Sequence, residues 1–304
     1  MKYKDWLQEY LYLIKRDLKK RTYKRYDGYV RNQIIPRLGD YDIDKLNSLV
    51  LERFTTELSE EYASNTVSGV IQVIKRSLSA AKKNKIISID ESEELKCRAS
   101  TSKEIFCLTP QEQRKLENYI LSMQVPKLFG MIISLYTGVR IGELLALKWR
   151  DIDFNKFTLT IRKSCHDEYE TGQYEKYEDL PKTKSSIRII PFPKQLLPYL
   201  RQLKKESCSP YVVEGKEGKI ITVRTYQNNF KQVLRKLDLP NCGFHSLRHT
   251  FATRCLENGM DIKTLSDILG HKNPEITLKT YAHCLIEHKV AMMNKIGKIF
   301  QAKA

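Results

Sequence analysis

The sequence predicts a mainly α protein with a small antiparallel β-sheet (α+β), built as an N-terminal helical bundle followed by a larger mixed domain. Three observations carry this reading. The chain has 304 residues, 41% of them hydrophobic, enough for two cores. Apolar residues before position 88 recur at helical spacing. Beyond it, a polar stretch gives way to a clean helix start and, further on, to two short strand-like runs.

The first domain is assigned to residues 1–88. Trp6, Leu7, Tyr10, Leu11, Leu13 and Ile14 mark one helix. Tyr23, Tyr26, Val30 and Ile34 mark a second, with Thr22 as its cap, which Pro36 and Gly39 are expected to end. A third covers 48–60. A fourth opens near Ser64 and carries Val67, Val70, Ile71, Ile74 and Leu78. Between the first two lie Lys15, Arg16, Lys19, Lys20, Arg21, Lys24 and Arg25, a basic cluster suited to gripping a DNA backbone or to forming a solvated helix face.

Residues 89–103 have the composition of a linker. The second domain, 104–288, starts on Thr109, with Pro110 in the first turn and Glu112 completing a capping box. Helices fit 110–123, 127–136 and 141–148. Strands fit 157–163 and 187–191, with a polar Tyr- and Glu-rich excursion between them. Helices resume over 193–206, 223–237, 246–257, 261–269 and 274–284. Residues 289–304 form a tail whose Met293, Ile296 and Phe300 stand at helical spacing, to pack on its own domain or to be exchanged between protomers.

Composition narrows the partners. Lys and Arg number 53 against 36 Asp and Glu, a net charge of +17, which favours a polyanion such as nucleic acid. No apolar run reaches the roughly 18 residues of a membrane span; the longest, 128–139, falls short. The charged N-terminus does not resemble a signal peptide. The seven cysteines are irregularly spaced with no Cys-x-x-Cys pair, as expected of reduced thiols in a cytoplasmic protein.

Metal-free phosphodiester exchange needs cations for two non-bridging oxygens, a nucleophile and a proton donor for the leaving oxygen. Guanidinium groups suit the first task. Arg140 lies in Thr137-Gly138-Val139-Arg140-Ile141-Gly142-Glu143-Leu144, where Glu143 can brace it or cap the helix. His245-Ser246-Leu247-Arg248-His249-Thr250 puts His245 and Arg248 on one helical face. His245 and His249 also have a metal-ligand spacing, but no carboxylate base lies between them as a zincin requires. His271 follows Gly270 at a helix junction, and Tyr281 stands ten residues further on. No phosphate-binding Gly-x-x-x-x-Gly-Lys-Ser/Thr loop and no dense carboxylate cluster occurs, so neither cofactor nor metal is expected.

These four motifs, in this order, resemble those of the tyrosine recombinases, also called the phage integrase family. The match covers 104–290; the helical first domain is similar to the family's core-binding domain. The resemblance implies a C-terminal catalytic domain in which Arg140 and Arg248 clamp the scissile phosphate. His245 hydrogen-bonds that phosphate and assists proton transfer. His271 contacts a non-bridging oxygen, and Tyr281 becomes linked to a 3′ phosphate. A lysine in a β-hairpin turn protonates the leaving 5′ oxygen; Pro181-Lys182-Thr183-Lys184-Ser185-Ser186-Ile187-Arg188 resembles that hairpin, with Lys182 chosen and Lys184 its competitor.

The resemblance also implies a site-specific recombinase, for integration, excision, inversion or resolution, acting without cofactor on double-stranded DNA core sites. The expected assembly is a monomer when free and a four-protomer synapse on DNA, with an excisionase or a host DNA-bending protein as partner and no membrane. The expected location is cytoplasmic, on the nucleoid. Many relatives carry a further N-terminal arm-binding domain, and arm binding is not expected here. Two alternatives are a catalytically inactive DNA-binding accessory protein and a type IB topoisomerase-like enzyme.

Overall fold

The computed structural model describes residues 1–95, 106–170, 173–179, 187–215, 218, 221–271, 273–281, 290, 293–294 and 296–297. Two compact units divide the chain, Met1–Lys103 and Glu104–Ala304.

Helices of the first unit follow the apolar spacing. α1 (Tyr3–Ile14) buries Trp6, Leu7, Tyr10 and Leu11. α4 (Ser48–Glu61) is capped by Asn47, whose side chain accepts from Val50 N at 3.0 Å. α5 (Ser64–Lys83) turns Val67, Val70, Ile71, Ile74 and Leu78 into the core. Where polar atoms enter that core they are paired: Trp6 Nε1 donates to the Ser77 carbonyl at 2.9 Å, and Tyr3 Oη meets Ser77 Oγ at 2.7 Å.

Expectations for the second helix and for the linker are corrected. α2 (Lys20–Tyr29) starts before Thr22, with Lys19 at its N-cap. Pro36 does not end it either, although the helical run does stop at Leu38 with Gly39 at its C-cap, as expected. A π-helical turn, Val30–Ile34, leads directly into α3 (Ile35–Leu38), and Ile35 N bonds back to the Val30 carbonyl. Proline has no N–H and its ring crowds the carbonyl four residues back. The wider π turn relieves both problems by shifting the hydrogen-bond register. The linker is also corrected. Its first residues pack on the bundle: Leu95, Asp90 and Ser92 are buried, and Asp90 Oδ1 accepts from Ser92 N and Oγ. Residues 96–103 lie outside the described residues.

In the second unit α6 (Pro110–Met123) carries the expected capping box between Thr109 and Glu112. α7 (Phe129–Thr137) is apolar on all sides and forms the centre of the core, with Met131, Ile132, Ile133 and Leu135 buried. α8 (Ile141–Ala146) follows. β1 (Ile152–Asp153), β2 (Thr158–Ile161) and β5 (Arg188–Pro191) make an antiparallel sheet in the order β1-β2-β5, with Ile161 opposite Arg188. The excursion between β2 and β5 is a second antiparallel pair, β3 (Ser164–Glu170) with β4 (Gln173–Asp179). Its first strand is anchored at the middle: Asp167 accepts from Val223 N and Arg224 N at 2.8 and 2.7 Å, at the first turn of α10 (Val223–Lys236).

α9 (Leu197–Glu206), α11 (His245–Glu257), α12 (Ile262–Leu269) and α13 (Pro274–Tyr281) complete the unit. Ala252, Leu256, Leu265, Leu269 and Tyr281 form a small apolar cluster of their own, which fixes α13 against α11 and α12. In the tail, Val290, Met293 and Ile296 are helical and exposed; Phe300 lies outside the described residues. Among the described residues no helix is long and apolar enough to cross a membrane.

Candidate active site

The site is assembled where helix ends meet. Gly138, in the left-handed region at φ 65°, terminates α7; a side chain there would strike Phe251. The chain then turns sharply so that Arg140 becomes the N-cap of α8. Glu143 does both things expected of it. Its Oε2 accepts from Arg140 N at 2.9 Å, capping α8, and its Oε1 accepts from Arg140 Nη1 at 2.9 Å.

Glu143 also holds a residue to which the sequence reading gave no role. Arg188, the first residue of β5, donates Nη1 and Nη2 to the two carboxylate oxygens at 3.0 and 2.8 Å, and Nε to the Ile268 carbonyl at 2.7 Å. Burial alone would raise the Glu143 pKa, but Arg188 first and Arg140 second overcome it and hold the carboxyl at about 2. β5, α8 and the C-terminal end of α12 are thereby tied by charge-assisted bonds.

Arg248, on α11, is 2% exposed. It donates Nη1 to the Gly138 carbonyl and Nη2 to the Leu269 carbonyl, each at 2.8 Å. Those carbonyls close α7 and α12, where the partial negative charge of a helix collects, so a buried cation is accommodated. Burial, and then Arg140, lower its pKa to about 9, which still leaves it charged at neutral pH. A third bond joins Nη2 to His271 Nε2 at 2.9 Å. Of the five guanidinium N–H groups, three are used in these bonds.

Arginine can only donate, so His271 accepts through Nε2 and its proton sits on Nδ1, which donates to Thr277 Oγ1 at 2.8 Å. Burial and the neighbouring Arg248 push His271 down to about 4. His245 is also pushed down to about 4, by burial and then by His249 and Arg248. Both rings are neutral at pH 7. His245 packs edge-to-face on His249 with centroids 4.7 Å apart. His249 Nδ1 lies 2.8 Å from Tyr281 Oη, and the Tyr281 side chain is 1% exposed.

Arg140, Glu143, His245, Arg248, His271 and Tyr281 thus stand in one constellation within the second unit. Lys182 and its competitor Lys184 lie outside the described residues. The seven cations of the first unit, Lys15, Arg16, Lys19, Lys20, Arg21, Lys24 and Arg25, are all exposed. Sequence reasoning missed Arg188, Thr277 and the contact of His249 with Tyr281. Arg188 had a signal, since it closes the lysine-bearing segment, but nothing local reveals its partner.

The profile of the phage integrase family matches residues 107–288, and that of the phage integrase N-terminal SAM-like domain matches residues 2–59. The chain belongs to the phage integrase family. Its members are enzymes that break and rejoin DNA strands. This member is 28% identical to a tyrosine recombinase XerC-like protein of Caldanaerobacter subterraneus, over 97% of this chain and 81% of the relative. Its fold matches the Tn1549 transposon integrase solved with circular intermediate DNA, at a TM-score of 0.83 and 23% identity, covering 96% of this chain and 99% of that one. The lambda integrase tetramer bound to a Holliday junction shares the fold at a TM-score of 0.69 and 18% identity, covering 90% and 78%.

Proposed function

We propose that this integrase-family enzyme is a site-specific recombinase whose nucleophile is Tyr281. The observation that carries the reading is the meeting of four separated motifs around Arg248: Gly138 and Leu269 through their carbonyls, His271 through Nε2, and Tyr281 through the adjacent His249.

Arg140 and Arg248 hold the two non-bridging oxygens of the scissile phosphate, and they are worth most in the transition state, when charge there is greatest. Neutral His245 adds a hydrogen bond to the phosphate without competing for the positive role. His271, whose Nε2 accepts from Arg248 and whose Nδ1 proton is held by Thr277, positions the Arg248 guanidinium and can donate to a non-bridging oxygen only by giving up one of those two bonds. Tyr281 Oη attacks phosphorus and becomes joined to the 3′ phosphate while the 5′ oxygen leaves. Lys182, with Lys184 as alternative, protonates that oxygen. The phosphotyrosyl bond conserves the energy of the broken one, so a 5′ hydroxyl from another strand can reverse the step without ATP. Glu143 and Arg188 orient Arg140. The exposed basic cluster that follows α1 and continues into α2 grips the duplex backbone, and binding weakens with salt accordingly.

Core sites on double-stranded DNA and a four-protomer synapse on the nucleoid complete the proposal. The lambda tetramer on its junction, a similar fold, supports the assembly. The domains are those of the sequence reading, with 1–95 in place of 1–88 as the DNA-gripping bundle.

Tyr281→Phe tests the reading. The variant is expected to bind DNA as the wild type does and to form no covalent adduct with a nicked duplex; an adduct in the variant refutes it.

A further inference from the structure

Tyr281 presents a chemical problem. A phenol has a pKa of about 10, so at neutral pH only about one in a thousand is ionised. Its side chain is 1% exposed, which keeps bulk hydroxide from removing the proton. Some side chain must take it. His249 is in contact with the hydroxyl: Nδ1 lies 2.8 Å from Oη, with the two rings 5.7 Å apart and inclined at 59°.

Helix geometry explains why His249 holds this position. It lies four residues, about one turn, beyond His245 on α11, so the two rings meet edge-to-face on one side of the helix and His249 extends that face toward α13. Among the described residues, the titratable and charged groups beside it are His245 and Arg248 on its own helix and Tyr281 on α13. Arg140 and Glu143 of α8 and His271 after α12 reach the same cluster through Arg248 and His245. Burial, and then Arg248, lower its pKa, so the free ring is neutral, and in the tautomer with its proton on Nε2 the Nδ1 atom accepts the phenolic hydrogen bond.

Resting on the reading of Tyr281 as nucleophile, we infer that His249 is the proton acceptor for the Tyr281 hydroxyl. As Oη bonds to phosphorus, the bond from phosphorus to the 5′ oxygen breaks. The phenolic proton passes to His249 Nδ1, and the hairpin lysine delivers a proton to the departing oxygen. Religation returns each proton along its own path. A phosphate anion seated on Arg248 offsets the smaller of the two influences that lower His249, the Arg248 cation, while burial remains.

His249→Ala and His249→Asn in the full chain test this, because asparagine can keep a hydrogen bond to Oη but cannot take its proton. The probe is a nicked duplex that the wild type cleaves, made with sulfur in place of the 5′ bridging oxygen, so that the leaving group needs no acid. Both variants are expected to cleave about 10²–10³-fold more slowly than wild type near pH 7, the usual worth of a positioned base. Their rates should climb about tenfold per pH unit toward the phenol pKa, while the wild-type rate levels off. An asparagine variant with wild-type rate and profile, its adduct still on Tyr281, overturns the role of His249 alone. An adduct mapped to another residue overturns the nucleophile reading and this inference with it.

Discussion

Arg188 and Glu143 form a buried two-pronged ion pair, with N–O distances of 3.0 and 2.8 Å, in which each side chain is under a tenth exposed. It holds Arg140 indirectly, since the same carboxylate accepts from Arg140 Nη1. Removing one partner of such a pair leaves a buried charge unanswered, at a cost of about 3–5 kcal/mol. Glu143→Ala is therefore expected to destabilise the second unit by about that amount, as read in urea unfolding followed by a probe in that unit. A change below about 1 kcal/mol would mean that Arg188 finds solvent or another partner.

The same pair sets an acid limit. Glu143 titrates at about 2 in the fold, below its unfolded value of about 4.3. Its contribution is complete above the unfolded value and is lost as pH falls toward 2. His245 and His271 act at higher pH. Each is lowered from about 6.5 to about 4, so the fold favours the neutral rings, and that stabilisation is complete above about 6.5 and declines as pH falls to 4. Nitrogen NMR at pH 6 is expected to show His271 neutral with its proton on Nδ1. An imidazolium signal there would contradict the bonds to Arg248 and Thr277.

Local chemistry made part of this site readable. Thr109 and Glu112 cap α6 within three residues, and Gly138 before Arg140 marks a turn, so short-range rules reach them. The Glu143–Arg188 pair could not be read in that way. Its partners are 45 residues apart and meet because β5 is delivered to α8 by sheet pairing. Pro36 shows the opposite failure. A sound local rule placed a helix end there, and a π turn that absorbs the missing N–H overrode it. The His249–Tyr281 contact depends on the packing of α13 against α11, which periodicity does not specify.

Gly270 couples backbone to site. It closes α12 at φ 66°, and a Cβ there would lie 3.0 Å from the Cδ, Nε and Cζ atoms of Arg188. Gly270→Ala is expected to cost about 1–2 kcal/mol for the left-handed conformation. By displacing Arg188 it should also lower the DNA cleavage rate. Gly259, at φ 87° with nothing within 4 Å of its Cβ position, is the control. Gly259→Ala should lose comparable stability and keep the wild-type cleavage rate. Equal cleavage in both variants would detach Arg188 from the chemistry.

The two arginines should separate catalysis from architecture. The Arg140 side chain is 38% exposed and sits on a carboxylate that Arg188 also holds, so Arg140→Ala leaves Glu143 paired. Arg248 bridges the carbonyls of Gly138 and Leu269 from a buried position, and its loss would leave two helix ends unsatisfied. Both alanine variants are expected to slow cleavage by roughly 10²–10³-fold, the range for a lost oxyanion donor. Only Arg248→Ala should also lower the melting temperature of the second unit by several degrees. Arg248→Lys should behave like alanine in cleavage, because a single ammonium cannot span both carbonyls and His271 while still facing a phosphate. Wild-type cleavage by the lysine variant would show that charge alone suffices and that the three-way bridge is dispensable.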